Sequence, residues 1–115
     1  MNWLELNSES ELSEIEKISF AHPVVVFKHS TRCPVSVFAK KTFEREWKMP
    51  QDEFPVYLLD LLSFRSVSNA VAEKFNVIHQ SPQLIVLQNG KVIYAESHEA
   101  ISANDAAKAA SATVS

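Results

Sequence analysis

The chain predicts an α/β fold, a mixed four- or five-stranded sheet with helices on both faces. Three observations carry that expectation. Segments with apolar residues at helical spacing alternate with short apolar runs, in the order β-α-β-α-β-α-β-β-α. One run, Val24, Val25, Val26 and Phe27, is apolar throughout, as strands covered on both faces are. Later, Asn89-Gly90 separates two apolar runs, a strong hairpin signal, and Gly90 is the only glycine in the chain.

Each element has a local reason. Trp3, Leu4 and Leu6 read as a short first strand. Ser8 with Glu11 forms a capping-box pattern, and Leu12, Ile15 and Ile18 follow at helical spacing, so a helix is expected over residues 8–19. His22-Pro23 breaks it. Residues 23–28 make the second strand, in a central parallel position. Pro34 suits the start of the second helix, where its missing N–H costs little. That helix is expected to turn Val37, Phe38 and Phe43 inward and Lys40, Lys41, Glu44 and Arg45 outward, ending near Trp47-Lys48. Residues 54–59 form a third strand closing at Asp60, and residues 67–75 a third helix with Val71 and Phe75 inward. Residues 84–87 and 92–94 are the hairpin strands. Ser102, with Asp105 three residues on, starts an alanine-rich last helix ending near Ala112.

Composition sets the class. With 115 residues, 46% hydrophobic and 22% charged, the chain reads as one globular domain over residues 1–115. Its net charge of −3 and lack of a basic block argue against nucleic acid and anionic membrane as partners. No apolar stretch reaches the roughly 18 residues of a membrane span. The start, Met1-Asn2-Trp3-Leu4-Glu5, carries no basic segment leading into an apolar run, so no secretory signal is expected. A single cysteine permits no internal disulfide, which suits a reducing cytoplasm; a monomer is expected, although one cysteine permits a Cys33–Cys33 dimer under oxidation.

That cysteine, Cys33, is where the chemistry points. It lies between the apolar strand and the Pro34-led helix. A thiol at the start of a helix meets the positive end of the helix dipole, which favours the thiolate, and Arg32 adds a permanent cation beside it. The thiolate is the nucleophile of disulfide exchange. A lone cysteine is more commonly a small buried hydrophobe, but those sit inside strands or on apolar helix faces, not between Arg32 and Pro34 at a junction.

The element order, with a cysteine heading the second helix, resembles the thioredoxin fold over nearly the whole chain. Ser81-Pro82-Gln83, just before the hairpin, stands where thioredoxin-like proteins carry a cis-proline beside the active-site cysteine. The resemblance implies that the Ser81 backbone is free to pair with an extended substrate. Two departures agree with each other. Ser36 stands where thioredoxins have a second, resolving cysteine, and Phe27 where they have a buried aspartate. Ser36 is a candidate hydrogen-bond donor to the Cys33 thiolate. More specifically, Thr31-Arg32-Cys33-Pro34-Val35-Ser36 resembles the signature of the YtxJ family of bacillithiol-system redox proteins, the monothiol bacilliredoxins, in which isoleucine commonly stands at Val35. The lead-in Phe27, Lys28, His29, Ser30 and the Ser81-Pro82-Gln83 segment fit as well.

The resemblance implies a thiol–disulfide oxidoreductase that removes bacillithiol from mixed disulfides on client proteins through Cys33. Bacillithiol, a low-molecular-weight cysteine–glucosamine–malate thiol, is then a co-substrate, and no resident cofactor is implied. Arg32 is the first candidate for its malate carboxylates, by two parallel hydrogen bonds, with Lys28 and His29 as further candidates. Lys28 is equally read as solvated surface charge, and His29 as a structural or exposed histidine. His98 is a weaker candidate near the small thiol, and His22 and His79 suggest nothing. No cysteine–histidine spacing supports a metal site. The iron–sulfur cluster of monothiol glutaredoxins is not carried over, because their motif has Gly-Phe at Pro34-Val35. Two other readings stay open: a thioredoxin-like redox sensor or binding module capped at Cys33, and a peroxiredoxin-like thiol peroxidase, echoed by Ser30-x-x-Cys33.

Overall fold

Five strands and four helices follow in the expected order, in a computed structural model that describes residues 1–114. They are β1 (Leu4–Glu5), α1 (Glu9–Ile18), β2 (Val24–His29), α2 (Pro34–Glu46), β3 (Val56–Asp60), α3 (Arg65–Lys74), β4 (Gln83–Gln88), β5 (Lys91–Ser97) and α4 (Ala103–Val114). A 3-10 turn, His98–Ala100, joins the last strand to the last helix. The sheet order is β1-β3-β2-β4-β5. β1 and β2 run parallel to β3, while β4 runs antiparallel to β2 and β5 to β4, so the sheet is mixed.

The apolar run of β2 is explained by two cores, one on each face. Val24 and Val26 join Leu12 and Ile15 of α1 and Val67 and Val71 of α3. Val25 and Phe27 join Phe43 of α2 and Ala106 and Ala110 of α4. Successive side chains of a strand point to opposite faces, so a strand sandwiched between helix layers must be apolar at every position. β4 obeys the same rule, with Ile85 and Leu87 on one face and Leu84 and Val86 on the other.

The same alternation decides the end of β2. Lys28 falls on the α3 face and His29 on the α2 face, and both are buried. The expectation of Lys28 as surface charge is therefore corrected: it is fully buried. Its ammonium donates to the Ser68 carbonyl at 3.2 Å and lies 3.2 Å from His79 Nδ1, which accepts because an ammonium has only donors.

Phe38 is a second correction. It is 71% exposed, whereas Phe43 is 1% exposed. Five residues advance a helix by about 500°, leaving the two side chains about 140° apart, so they cannot share one face. The buried stripe of α2 is Ser36 and Phe43, continued by Trp47 beyond its end, and Val37 is only half-buried.

Turn and cap chemistry holds with one change. Asn89 and Gly90 take positive φ of 56° and 73°, as a tight hairpin requires, and their N–H groups bond Ser19 O and Oγ at 2.8 Å. Ser102 Oγ accepts from the Asp105 N–H at 3.1 Å and caps α4. At α1 the box is altered: Glu11 Oε1 accepts from the Asn7 N–H at 2.9 Å and from the Ser8 hydroxyl at 3.1 Å, while Ser8 makes no side-chain cap bond.

Candidate active site

Cys33 occupies the N-cap of α2, with φ −102° and ψ 117°. Its N–H bonds Ser30 O at 3.2 Å and its carbonyl accepts from the Val37 N–H at 3.0 Å. The loop leaving β2 and the first turn of α2 thus fix its backbone from both sides. Among the described residues its side chain makes no capping hydrogen bond, and it is the free cysteine. The helix's unsatisfied N–H groups and partial positive charge lie directly beyond it.

Cys33 lines an open depression of about 350 Å³ with Thr31, Arg32, Pro34, Val37, Phe38 and Lys41. Pro34, Val37, Phe38 and Lys41 are spaced three, four and seven along α2, so they share the helix face that begins at the cysteine. That spacing was the signal for Lys41, which reading the sequence left as solvent-facing charge. Neither Arg32 nor Lys41 makes an ion pair among the described residues. The depression therefore offers an exchangeable sulfur with two unpaired cations beside it.

Ser36 does not point its hydrogen-bonding capacity at Cys33. It is fully buried. Its Oγ accepts from the Ser30 N–H at 3.0 Å and lies 2.6 Å from His29 Nδ1. The expected bond from Ser36 to the Cys33 thiolate is absent among the described residues, and the hydroxyl ties the Ser30 end of the cysteine loop to β2. His29 is pushed below its ordinary value by burial, aided by Lys40 and opposed by Asp60 and Glu44. The hydrogen bond shared by His29 Nδ1 and the Ser36 hydroxyl closes the clamp.

Ser81-Pro82 is a cis peptide bond. Pro82 O accepts from the His98 N–H at 3.0 Å, and Gln83 Nε2 donates to Ile78 O at 3.0 Å, so the loop is tied to the 3-10 turn and to its own approach. Ser81 Oγ and Gln83 Oε1 are buried without a partner among the described residues. Ser81 and Pro82 stand outside the lining of the Cys33 depression. Val35, half on the surface, and His98 line a separate groove on the other side of Phe38. Lys28 is sealed on the α3 face and His29 is engaged with Ser36, so neither is a free cation for a ligand. No group of three or more metal-ligating side chains comes together among the described residues.

A family model described as monothiol bacilliredoxin BrxC matches residues 4–106. The chain belongs to the monothiol bacilliredoxin family. As a monothiol bacilliredoxin it is a thiol–disulfide oxidoreductase, and its one cysteine is Cys33. The thioredoxin fold is equally plain. A solved protein described as having a thioredoxin fold, and provisionally as an oxidoreductase, is 28% identical, with TM-score 0.78 over 92% of this chain and 91% of that one. Thioredoxin of Malassezia sympodialis superposes with TM-score 0.74 at 16% identity, over 99% of this chain and 92% of its own. Spinach chloroplast thioredoxin f, long form, gives TM-score 0.70 at 16% identity, over 99% and 88%. The last two likenesses speak for the fold alone.

Proposed function

We propose that this bacilliredoxin removes bacillithiol from mixed disulfides on client proteins. The observation that carries the reading is the site itself: a single cysteine at a helix N-cap, with the second thiol position occupied by a buried, fully engaged Ser36. The Cys33 thiolate attacks the bacillithiol sulfur. A Cys33–bacillithiol disulfide forms, the client–bacillithiol disulfide breaks, and the client leaves as a thiolate that takes a proton from solvent. Ser36 cannot resolve the new disulfide. A second thiol from outside attacks it, leaves as the disulfide with bacillithiol, and restores Cys33.

Arg32 and Lys41 are the two groups suited to the malate dicarboxylate, with the first N–H groups of α2 behind them. Thr31 and Pro34 shape the approach, and the backbone of Ser81 beside Pro82 offers an edge to the client chain. The protein works as a monomer in the cytoplasm, where a free thiol persists. Among the described residues no helix is long and apolar enough to cross a membrane.

The test is mass-resolved transfer from one client capped with either bacillithiol or glutathione. The bacillithiol cap should move to Cys33 faster, and Cys33→Ser should abolish transfer. Arg32→Ala and Lys41→Ala should slow bacillithiol transfer more than exchange with a neutral disulfide. If neither cap moves, the reading falls, and a sensor or peroxide role takes its place.

A further inference from the structure

Phe38 is the ridge between two surfaces of opposite character. On the Cys33 side lie Arg32 and Lys41. On the other side a groove runs between α2 and the 3-10 turn leading into α4, with about 160 Å³ of space. Val35, Phe38, Ile101 and Ala103 give it an apolar floor, and Glu46 and Glu99 line it too. Val35 and Phe38 are 42% and 71% exposed, an apolar surface that costs solvation in the free protein. Neither Glu46 nor Glu99 makes an ion pair among the described residues. Phe38 thus has cations on its Cys33 side and, on the other, apolar side chains with two carboxylates and His98.

We infer that this groove binds the client polypeptide and selects clients with an apolar residue and a basic residue on one side of the modified cysteine. The inference rests on the reading that Cys33 exchanges disulfides with proteins. The two ends divide the labour by charge. The cations beside Cys33 suit an acidic small-thiol cap, and the carboxylates beyond Phe38 suit a Lys or Arg of the client. The spacing follows from helix geometry. Phe38 lies about 7 Å and Glu46 about 20 Å along α2 from Cys33. An extended chain covers about 3.3 Å per residue, which places the apolar residue about two positions from the client cysteine and the basic one within about six. Backbone pairing beside Pro82 carries no such side-chain selection, so the groove adds what that edge lacks.

Equilibrium trapping tests this without bacillithiol. Synthetic peptides with one cysteine are presented as mixed disulfides with cysteamine, in excess cysteamine. The Cys33 thiolate attacks the peptide sulfur, a Cys33–peptide disulfide forms, and cysteamine leaves as a thiolate that takes a proton. The trapped fraction is read by intact mass, normalised to labelling of the same variant by cystamine. A peptide with Leu two and Lys five residues from its cysteine should be trapped about fivefold more than its Glu counterpart. The double variant Glu46→Lys, Glu99→Lys should reverse that order, and Phe38→Ser should erase a preference for Leu over Ser. Equal trapping of all peptides overturns the inference, as does a preference unchanged in the double variant. Self-association of Cys33→Ser protein that Phe38→Ser abolishes would give the groove to a second copy and overturn it too. Discrimination among peptides without transfer of any bacillithiol cap would uphold the groove and sink the proposed reaction alone.

Discussion

Lys28→Met should stabilise this protein at neutral pH, and by an amount that shrinks as pH rises. Lys28 is fully buried, and its ammonium faces a carbonyl and a neutral imidazole with no carboxylate partner among the described residues. Burial pushes its pKa down from 10.5 to about 8. A base with a lowered folded value loses its proton on folding, so between about pH 8 and 10.5 the unfolded chain holds more protons. Stability from this group therefore climbs as pH rises through that window, and the full cost is present below it. The gap amounts to about 3 kcal/mol, of which about 2 kcal/mol is relieved between pH 7 and 9.5. Methionine nearly keeps the volume and carries no charge. Urea unfolding of both proteins at pH 7, 8, 9 and 9.5 measures the difference. Lys28→Met should be the more stable by up to about 3 kcal/mol at pH 7, less the lost hydrogen bond to Ser68 of about 1 kcal/mol, with the advantage narrowing toward pH 9.5. A difference that stays flat with pH would refute the reasoning, because it would mean that Lys28 titrates alike folded and unfolded.

Phe38→Ala should change stability by less than about 0.5 kcal/mol, whereas Phe43→Ala should cost about 3–5 kcal/mol, and thermal or urea unfolding separates the two. Ser36→Ala strands the half-buried Ser30 N–H and the buried His29 Nδ1 and should cost about 1–3 kcal/mol in the same assay. Burial lowers both His29 and His79 from 6.5, with Lys40 acting on the first and Lys28 and Arg65 on the second. The unfolded chain takes up those protons first, so stability is full above about pH 6.5 and falls on acidification toward pH 5, a loss that His29→Gln should reduce.

Much of the fold was legible because each element announced itself locally. Val24 to Phe27 had nowhere to go but a doubly covered strand, and Asn89-Gly90 fixed the hairpin by its positive φ. Cys33, flanked by Arg32 and Pro34, was placed at the helix start by its immediate neighbours. The order of elements and the motif were sufficient for the family resemblance, and the match over residues 4–106 agrees with it.

Which way a side chain points was decided elsewhere. Whether Lys28 is solvated or sealed depends on α3 lying over its face of the sheet, a contact across 40 residues that composition does not encode. Phe38 read as core because it is large and apolar, yet its side of α2 faces an open groove that leaves it 71% exposed. Ser36 was a candidate partner of Cys33 because it stands at the resolving-cysteine position, but the strand alternation that turns His29 toward α2 claims its hydroxyl. The sequence by itself determined the elements, their order and the place of the one thiol at a helix start, because dihedral preference, periodicity and turn chemistry are local. Only the tertiary structure decided burial, partners and the charge pattern around Cys33, because those depend on which layers meet.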